Sequence, residues 1–229
     1  YVILSGWHPL LAHLRGAVYG RVSVYDLSVI PLFMLMGAFA VNGGLSKALF
    51  DFANALLGRF RGGMAMAGIL ACAAFGAISG STVATTATIA QVAYPEMRRI
   101  AYSGRLATAA LATGGTMGVL LPPSVTLMVY AILTEQNITK TFLAAYVPAF
   151  LAAAGYIAAI AIYVRLRPQH APAARAASGK EIAHAAAGVW PIALIFVAVF
   201  GGIYGGIFTP TEGAAIGATL TFVLALIER

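Results

Sequence analysis

The chain has 229 residues, of which 61% are hydrophobic and only 9% charged. An ordinary soluble domain carries about 25% charged residues, so this composition excludes a water-covered globule. The net charge of +7 does not mark a nucleic-acid binder, because the basic residues sit in short loops between apolar runs, and a lone Cys72 excludes an internal disulfide or a cysteine zinc cluster. The chain reads as an all-α polytopic membrane protein whose 25 glycines and 10 prolines punctuate its helices. It starts at Tyr1 without Met or a signal peptide and stops at Glu228-Arg229 after an apolar run, as a piece of a longer polytopic protein would.

A helix rises about 1.5 Å per residue, so crossing a hydrocarbon core of about 30 Å takes roughly 20 residues. Residues 1–61 read as the end of a preceding segment, a transmembrane helix over about 25–45 and an amphipathic helix over about 45–60. In the latter, Leu45, Leu49, Phe52, Leu56, Leu57 and Phe60 recur at spacings of three and four, with Lys47, Asp51, Asn54 and Arg59 off the stripe.

Residues 62–95 contain no Asp, Glu, Lys or Arg. They are too many for one crossing and are interrupted by Ser79-Gly80-Ser81-Thr82, which leaves two arms of about 15 residues, each roughly 23 Å long. Arg59 and Arg61 precede the run, and Arg98, Arg99 and Arg105 follow it. The positive-inside rule puts both flanks in the cytoplasm, so residues 62–97 are expected to form a re-entrant hairpin.

Residues 104–165 are expected to hold a discontinuous helix and a transmembrane helix, the latter over 141–165. The break falls at Thr113-Gly114-Gly115-Thr116-Met117-Gly118 and Leu121-Pro122-Pro123-Ser124, where glycines weaken the helix and prolines remove amide donors. Non-helical backbone at membrane depth is tolerated only beside protein or a polar cavity, and a hairpin tip opposite would supply one. Residues 166–187 read as a cytoplasmic linker and 188–229 as two transmembrane helices, over 188–208 and 213–227, the last one truncated. On this topology eleven of the fourteen Lys and Arg residues are cytoplasmic, all but Arg15, Arg21 and Lys140.

The polar atoms at membrane depth are nearly all neutral oxygens. The hairpin offers Ser79, Ser81, Thr82, Thr85, Thr86, Thr88 and Gln91, and the broken helix offers Thr113, Thr116 and Ser124. Hydroxyls and freed carbonyls suit a small hard cation, sodium in the absence of carboxylates, while amides at the start of the second hairpin arm suit an anionic group. Against this stands back-bonding of Ser and Thr to their own helices, the simpler reading for Thr85, Thr86, Thr88 and Gln91. Glu212, beside Thr209-Pro210-Thr211, either caps the last helix or has a functional role. Enzymatic readings fare poorly. Gly76-Ala77-Ile78-Ser79-Gly80 is out of register with a serine elbow, and His8, His13, His170 and His184 fall outside both elements. No phosphate-binding loop sequence is present, so the energy source is an ion gradient or another subunit.

The order Ile30-Pro31-Leu32-Phe33, Gly43-Gly44-Leu45, Gly76 to Ser81, Pro95-Glu96-Met97, Leu121-Pro122-Pro123-Ser124 and Thr209-Pro210-Thr211-Glu212 resembles the large permease subunit of TRAP transporters, from about residue 22 onward. The resemblance implies a sodium-driven, elevator-type importer in the bacterial cell inner membrane. It further implies a soluble periplasmic substrate-binding protein and a small membrane subunit as partners, and organic acids such as C4-dicarboxylates or sugar acids as substrates. Sodium is then the coupling ion, with no cofactor. The family fold has two inverted repeats, each with one re-entrant hairpin. By matching position, Ser79, Gly80, Ser81 and Thr82 would form the hairpin tip, and Gly114, Gly115, Thr116, Gly118, Pro122, Pro123 and Ser124 the facing crossover loop. Only one hairpin and one crossover loop are present, which leaves the first helix and second repeat to the rest of a longer protein. Alternatives are an ion-gradient anion carrier that needs no binding protein, and a non-transporting membrane scaffold subunit.

Overall fold

A computed structural model describes residues 25–172 and 177–227, together with 7, 8, 11 and 16. Arg15, Arg21, Arg175 and Arg229, four of the basic residues used to assign sides, and His13 lie outside the described residues.

From residue 25 the described chain is helical. After a 3-10 turn at Tyr25–Ser28 come α1 (Val29–Asn42) and α2 (Leu45–Leu57), bent 70° from each other. The bend falls at Gly43-Gly44, and Gly44 takes φ +69°, a conformation costly for residues with a Cβ. The span expected over 25–45 is thus a 14-residue helix, about 21 Å long, behind its 3-10 turn. The buried face of α2 is Leu45, Leu49, Phe50 and Ala53, whereas Leu56 and Phe60 of the expected stripe stay exposed. The apolar arc is wider than the protein surface it covers, and its remainder faces outward, as on a helix lying at an interface.

Helices α3 (Gly63–Ser79) and α4 (Thr82–Arg99) form a helical hairpin. Helix α3 is the centre of the bundle. It packs against α1, α2 and α4, against the two short helices over 104–120 and against the long helix over 138–166, and nearly all of its 17 residues are buried. Its small residues permit this, since a helix of Gly and Ala brings neighbouring backbones close.

Next come α5 (Gly104–Gly115), α6 (Met117–Leu120) and α7 (Val125–Leu133), with extended backbone at Leu121 and Ser124. Together they make one apolar stretch of 30 residues, Gly104–Leu133, interrupted where the prolines were expected to break it. Helix α8 (Ile138–Leu166) starts at an Asn137 cap whose Oδ1 accepts from the Lys140 amide at 3.0 Å.

Helix α9 (Gly179–Tyr204) begins eight residues before the expected end of the linker at residue 187. Ser178 and Glu181 form a capping box, with Ser178 N donating to Glu181 Oε2 at 2.6 Å and Glu181 N to Ser178 Oγ at 3.3 Å. The alanines that looked like linker then propagate the helix. Helix α10 (Pro210–Ile227) lies along α1, with the Phe39 and Phe222 rings 4.9 Å apart. The 30-residue stretch, α8, α9 and α10 are each long and apolar enough to cross a membrane, so the chain is an all-α, multi-pass bundle.

Candidate functional site

The hairpin turns on two residues. Gly80, at φ +60°, ends α3 by donating its amide to Gly76 O at 2.8 Å. Ser81 is extended and starts α4, its Oγ accepting from the Ala84 amide at 3.3 Å. Ser79 Oγ and Thr85 Oγ1 lie 2.7 Å apart across this turn, both buried. Ser79 Oγ also takes a long bond from the Ser81 amide at 3.5 Å. Thr82 lends its carbonyl to Thr86 Oγ1, at 2.8 Å, the local back-bond expected of a membrane threonine.

Facing the tip is the break in the α5–α7 stretch. Ser124 is fully buried and caps α7, accepting from the Leu127 amide at 3.4 Å. Pro122 and Pro123 have no amide to donate, so the carbonyls of Gly118 and Val119 lack their usual partners four residues on. The Pro122–Pro123 peptide is cis.

Glycines let these two elements touch backbone to backbone. A Cβ at Gly76 would sit 2.6 Å from Gly118 Cα, and one at Gly80 would sit 2.8 Å from Pro123 O. A Cβ at Gly118 would meet Thr85 Oγ1 at 2.8 Å and Ser81 O at 3.0 Å. At Gly115 it would collide with the Thr86 hydroxyl, and at Gly114 it would press on Cys72 Sγ at 3.1 Å. The paired glycines are therefore contact points as well as helix weakeners.

The structure thus brings together Ser79, Gly80, Ser81, Gly118, Pro123 and Ser124, with Gly114 and Gly115 bracing the same interface from α5. Thr116 is directed elsewhere. It is exposed, bonds back to Thr113 O at 2.6 Å, and lies 3.3 Å from Tyr156 Oη on α8. Glu212 takes the capping role, its Oε2 accepting from the Thr209 amide and hydroxyl, each at 2.9 Å. Sequence reasoning missed Gly37 of α1, where a Cβ would sit 2.8 Å from Ser79 Cα. A single glycine inside an apolar helix was the available signal.

Beside the tip opens a cleft of about 420 Å³. Met34 and Ala38 of α1 wall one side, Val119, Val125 and Thr126 another, and Ser79 to Ala84 form its floor. Among the described residues no Lys, Arg, Asp or Glu lines it. Among the described residues no group of His, Cys, Asp and Glu is arranged to hold a metal. The cleft therefore offers hydroxyls, main-chain groups and the first turns of α4 and α7.

A family model described as "Tripartite ATP-independent periplasmic transporter, DctM component" matches residues 1–229. The chain is 42% identical over 203 residues to the C4-dicarboxylate TRAP transporter large permease protein of Pseudomonas aeruginosa, covering 88% of this chain and 47% of that one. It is 40% identical over 202 residues to the C4-dicarboxylate TRAP transporter large permease of Vibrio cholerae, covering 88% and 44%. Against the 2,3-diketo-L-gulonate TRAP transporter large permease of Escherichia coli it is 32% identical over 207 residues, covering 90% and 48%. The chain spans about half the length of these relatives.

Proposed function

Because this chain belongs to the DctM component family of tripartite ATP-independent periplasmic transporters, we propose that it is part of the membrane permease of a sodium-coupled, binding-protein-dependent importer of organic acids. Its place is the bacterial inner membrane, with a small membrane subunit and a periplasmic substrate-binding protein as partners. The helical hairpin is re-entrant, the arm helix α2 lies at the interface, and the fold is one inverted-repeat half of an elevator-type transporter. Transport enzymology of the hydrolase kind is set aside by the family.

The observation that supports this reading best is the meeting of two helix breaks. The hairpin tip Ser79-Gly80-Ser81-Thr82 sits on the crossover loop that runs from Gly114 and Gly115 through Thr116 and Gly118 to Pro122, Pro123 and Ser124, with main-chain contact made by glycines. Two helix starts, at Ser81 and Ser124, flank the cleft, and their amides favour a carboxylate. Ser79 Oγ, Thr85 Oγ1 and the Gly118 carbonyl, which Pro122 deprives of its helical donor, favour a hard cation. With no basic side chain among the described residues lining the cleft, an anionic substrate needs a companion charge, and bound sodium supplies it. Such half-helix ends around a membrane-depth site are the general plan of secondary transporters. The names of the Pseudomonas, Vibrio and Escherichia relatives, C4-dicarboxylate and 2,3-diketo-L-gulonate permeases, support a carboxylate substrate of the dicarboxylate or sugar-acid class.

The test is uptake of a C4-dicarboxylate or sugar acid by the full-length permease in vesicles, with its small subunit and binding protein. Uptake should require an inward sodium gradient and the binding protein, and Ser79→Ala should raise the sodium concentration needed for half-maximal rate. Sodium-driven uptake without a binding protein would favour the simpler carrier. A Ser79→Ala variant with lower stability but unchanged sodium dependence would favour a scaffold.

A further inference from the structure

A second cavity shares no residue with the cleft at the hairpin tip. It is a slot of about 420 Å³ between α3, α5 and α8, walled by Ile69, Leu106, Ala110, Tyr156, Ile160 and Tyr163. Its open side is edged by the exposed Ala109 and Ala159, whose small side chains leave it facing outward. Arg105 stands at one end and Thr113 at the other, eight residues apart on α5, or about 12 Å at the helical rise. Arg105 is the second residue of the apolar stretch Gly104–Leu133, so the slot starts at the end of that stretch and runs along it.

Two features define what fits. The walls ask for no polar ligand, because Tyr163 Oη is bonded to His170 Nδ1 at 2.7 Å and Tyr156 Oη lies 3.3 Å from Thr116 Oγ1. The mouth does ask for one. Among the described residues the exposed Arg105 guanidinium makes no ion pair and no side-chain hydrogen bond, while Arg99 pairs with Glu96 and Arg98 bonds Tyr102 O. An always-charged fork of donors at headgroup depth matches a phosphate, which it grips with two parallel bonds. An apolar slot of this length beneath it matches an alkyl chain.

We propose that the slot holds one acyl chain of an anionic membrane phospholipid, with the lipid phosphate on Arg105. The occupant contacts α3 and α5, which carry the hairpin tip and the crossover loop, on one side and α8 on the other. It is a wedge between the helices of the candidate transport site and the long span beside them.

The test uses the full-length permease in alkyl maltoside micelles, titrated with phosphatidylglycerol and read by native mass spectrometry. The wild type should retain one phosphatidylglycerol through activation that strips the others. Ala109→Phe with Ala159→Phe fills the slot and should abolish that species. Arg105→Gln should weaken it about tenfold, the loss of a charge-assisted contact, and Arg105→Lys less. Arg105 is exposed, so this pair decides the matter even if the filled variant fails to fold. No tightly held lipid on the wild type, equal retention by a folded slot-filled variant, or unchanged affinity in Arg105→Gln would each overturn the proposal.

Discussion

Gly76 and Gly68 lie two turns apart on α3, and a methyl group added to each meets different matter. At Gly76 it would sit 2.6 Å from Gly118 Cα and 2.9 Å from Gly118 N. Carbon contacts relax to about 3.5 Å or more, so two backbones would have to part by about 1 Å. Neither is a flexible side chain. Overpacking of this kind costs up to about 3 kcal/mol, and the alanine's better helix propensity returns about 1 kcal/mol, leaving Gly76→Ala destabilised by about 2 kcal/mol. At Gly68 the methyl would meet Leu111 Cδ2 at 3.3 Å and Met97 Cε at 3.4 Å, both ends of side chains that yield by a few tenths of an ångström. There the propensity gain offsets the crowding, and Gly68→Ala should be within about 0.5 kcal/mol of wild type. The assay is thermal unfolding of both variants in detergent, followed by sodium titration. Gly76→Ala should melt earlier and bind sodium more weakly, because it lifts the hairpin from the crossover loop, whereas Gly68→Ala should match wild type in both. Equal melting and equal sodium affinity for the two variants would refute the close backbone packing.

Three further outcomes follow from single contacts. Removing one hydroxyl of the buried Ser79–Thr85 pair, 2.7 Å apart, takes from the other its short bond. Ser79→Ala and Thr85→Val should therefore each cost about 1–3 kcal/mol in unfolding measurements, and the double variant less than their sum. Gly115→Ala collides with the Thr86 hydroxyl, a side-chain obstacle, so adding Thr86→Ala should recover part of the lost melting temperature, which it would not do for Gly76→Ala. Ser178→Ala removes the α9 capping box and should cost about 1 kcal/mol, seen as faster hydrogen exchange at Gly179–Glu181 with uptake unchanged.

Breaks were easier to read from the sequence than surfaces. Ser79-Gly80-Ser81-Thr82 marked the turn between α3 and α4, and Pro122-Pro123 marked the interruption before α7, because Gly and Pro act through the local backbone. Ser81 and Ser124 were legible as polar residues at breaks, and both prove to be helix caps. What escaped depends on tertiary approach. Gly37 has no local signature that ties it to Ser79, forty-two residues on, and the turning of Thr116 toward Tyr156 is fixed by how α8 packs. The early start of α9 was missed for another reason. Pro168, Pro172 and the alanines looked like a linker, and the Ser178-Gly179-Lys180-Glu181 capping box that overrides this reading is a four-residue signal. On α2 the spacing marked the helix but not which part of its apolar arc the protein would cover.

The proposed site depends most on the hairpin entering and leaving the membrane at one face, and side-specific cysteine labelling tests this directly. In the full-length permease Cys72, which is fully buried, is replaced by Ala, and single cysteines are placed at Arg61, Arg99 and Asn137. Arg99 is preferred to Arg98 because its side chain is 74% exposed, while Arg98 bonds the Tyr102 carbonyl. Labelling of positions 61 and 99 from the cytoplasm and of 137 from outside is the predicted result. Labelling of 61 and 99 from opposite sides would mean that the hairpin spans the membrane, and would contradict a re-entrant tip seated on the crossover loop.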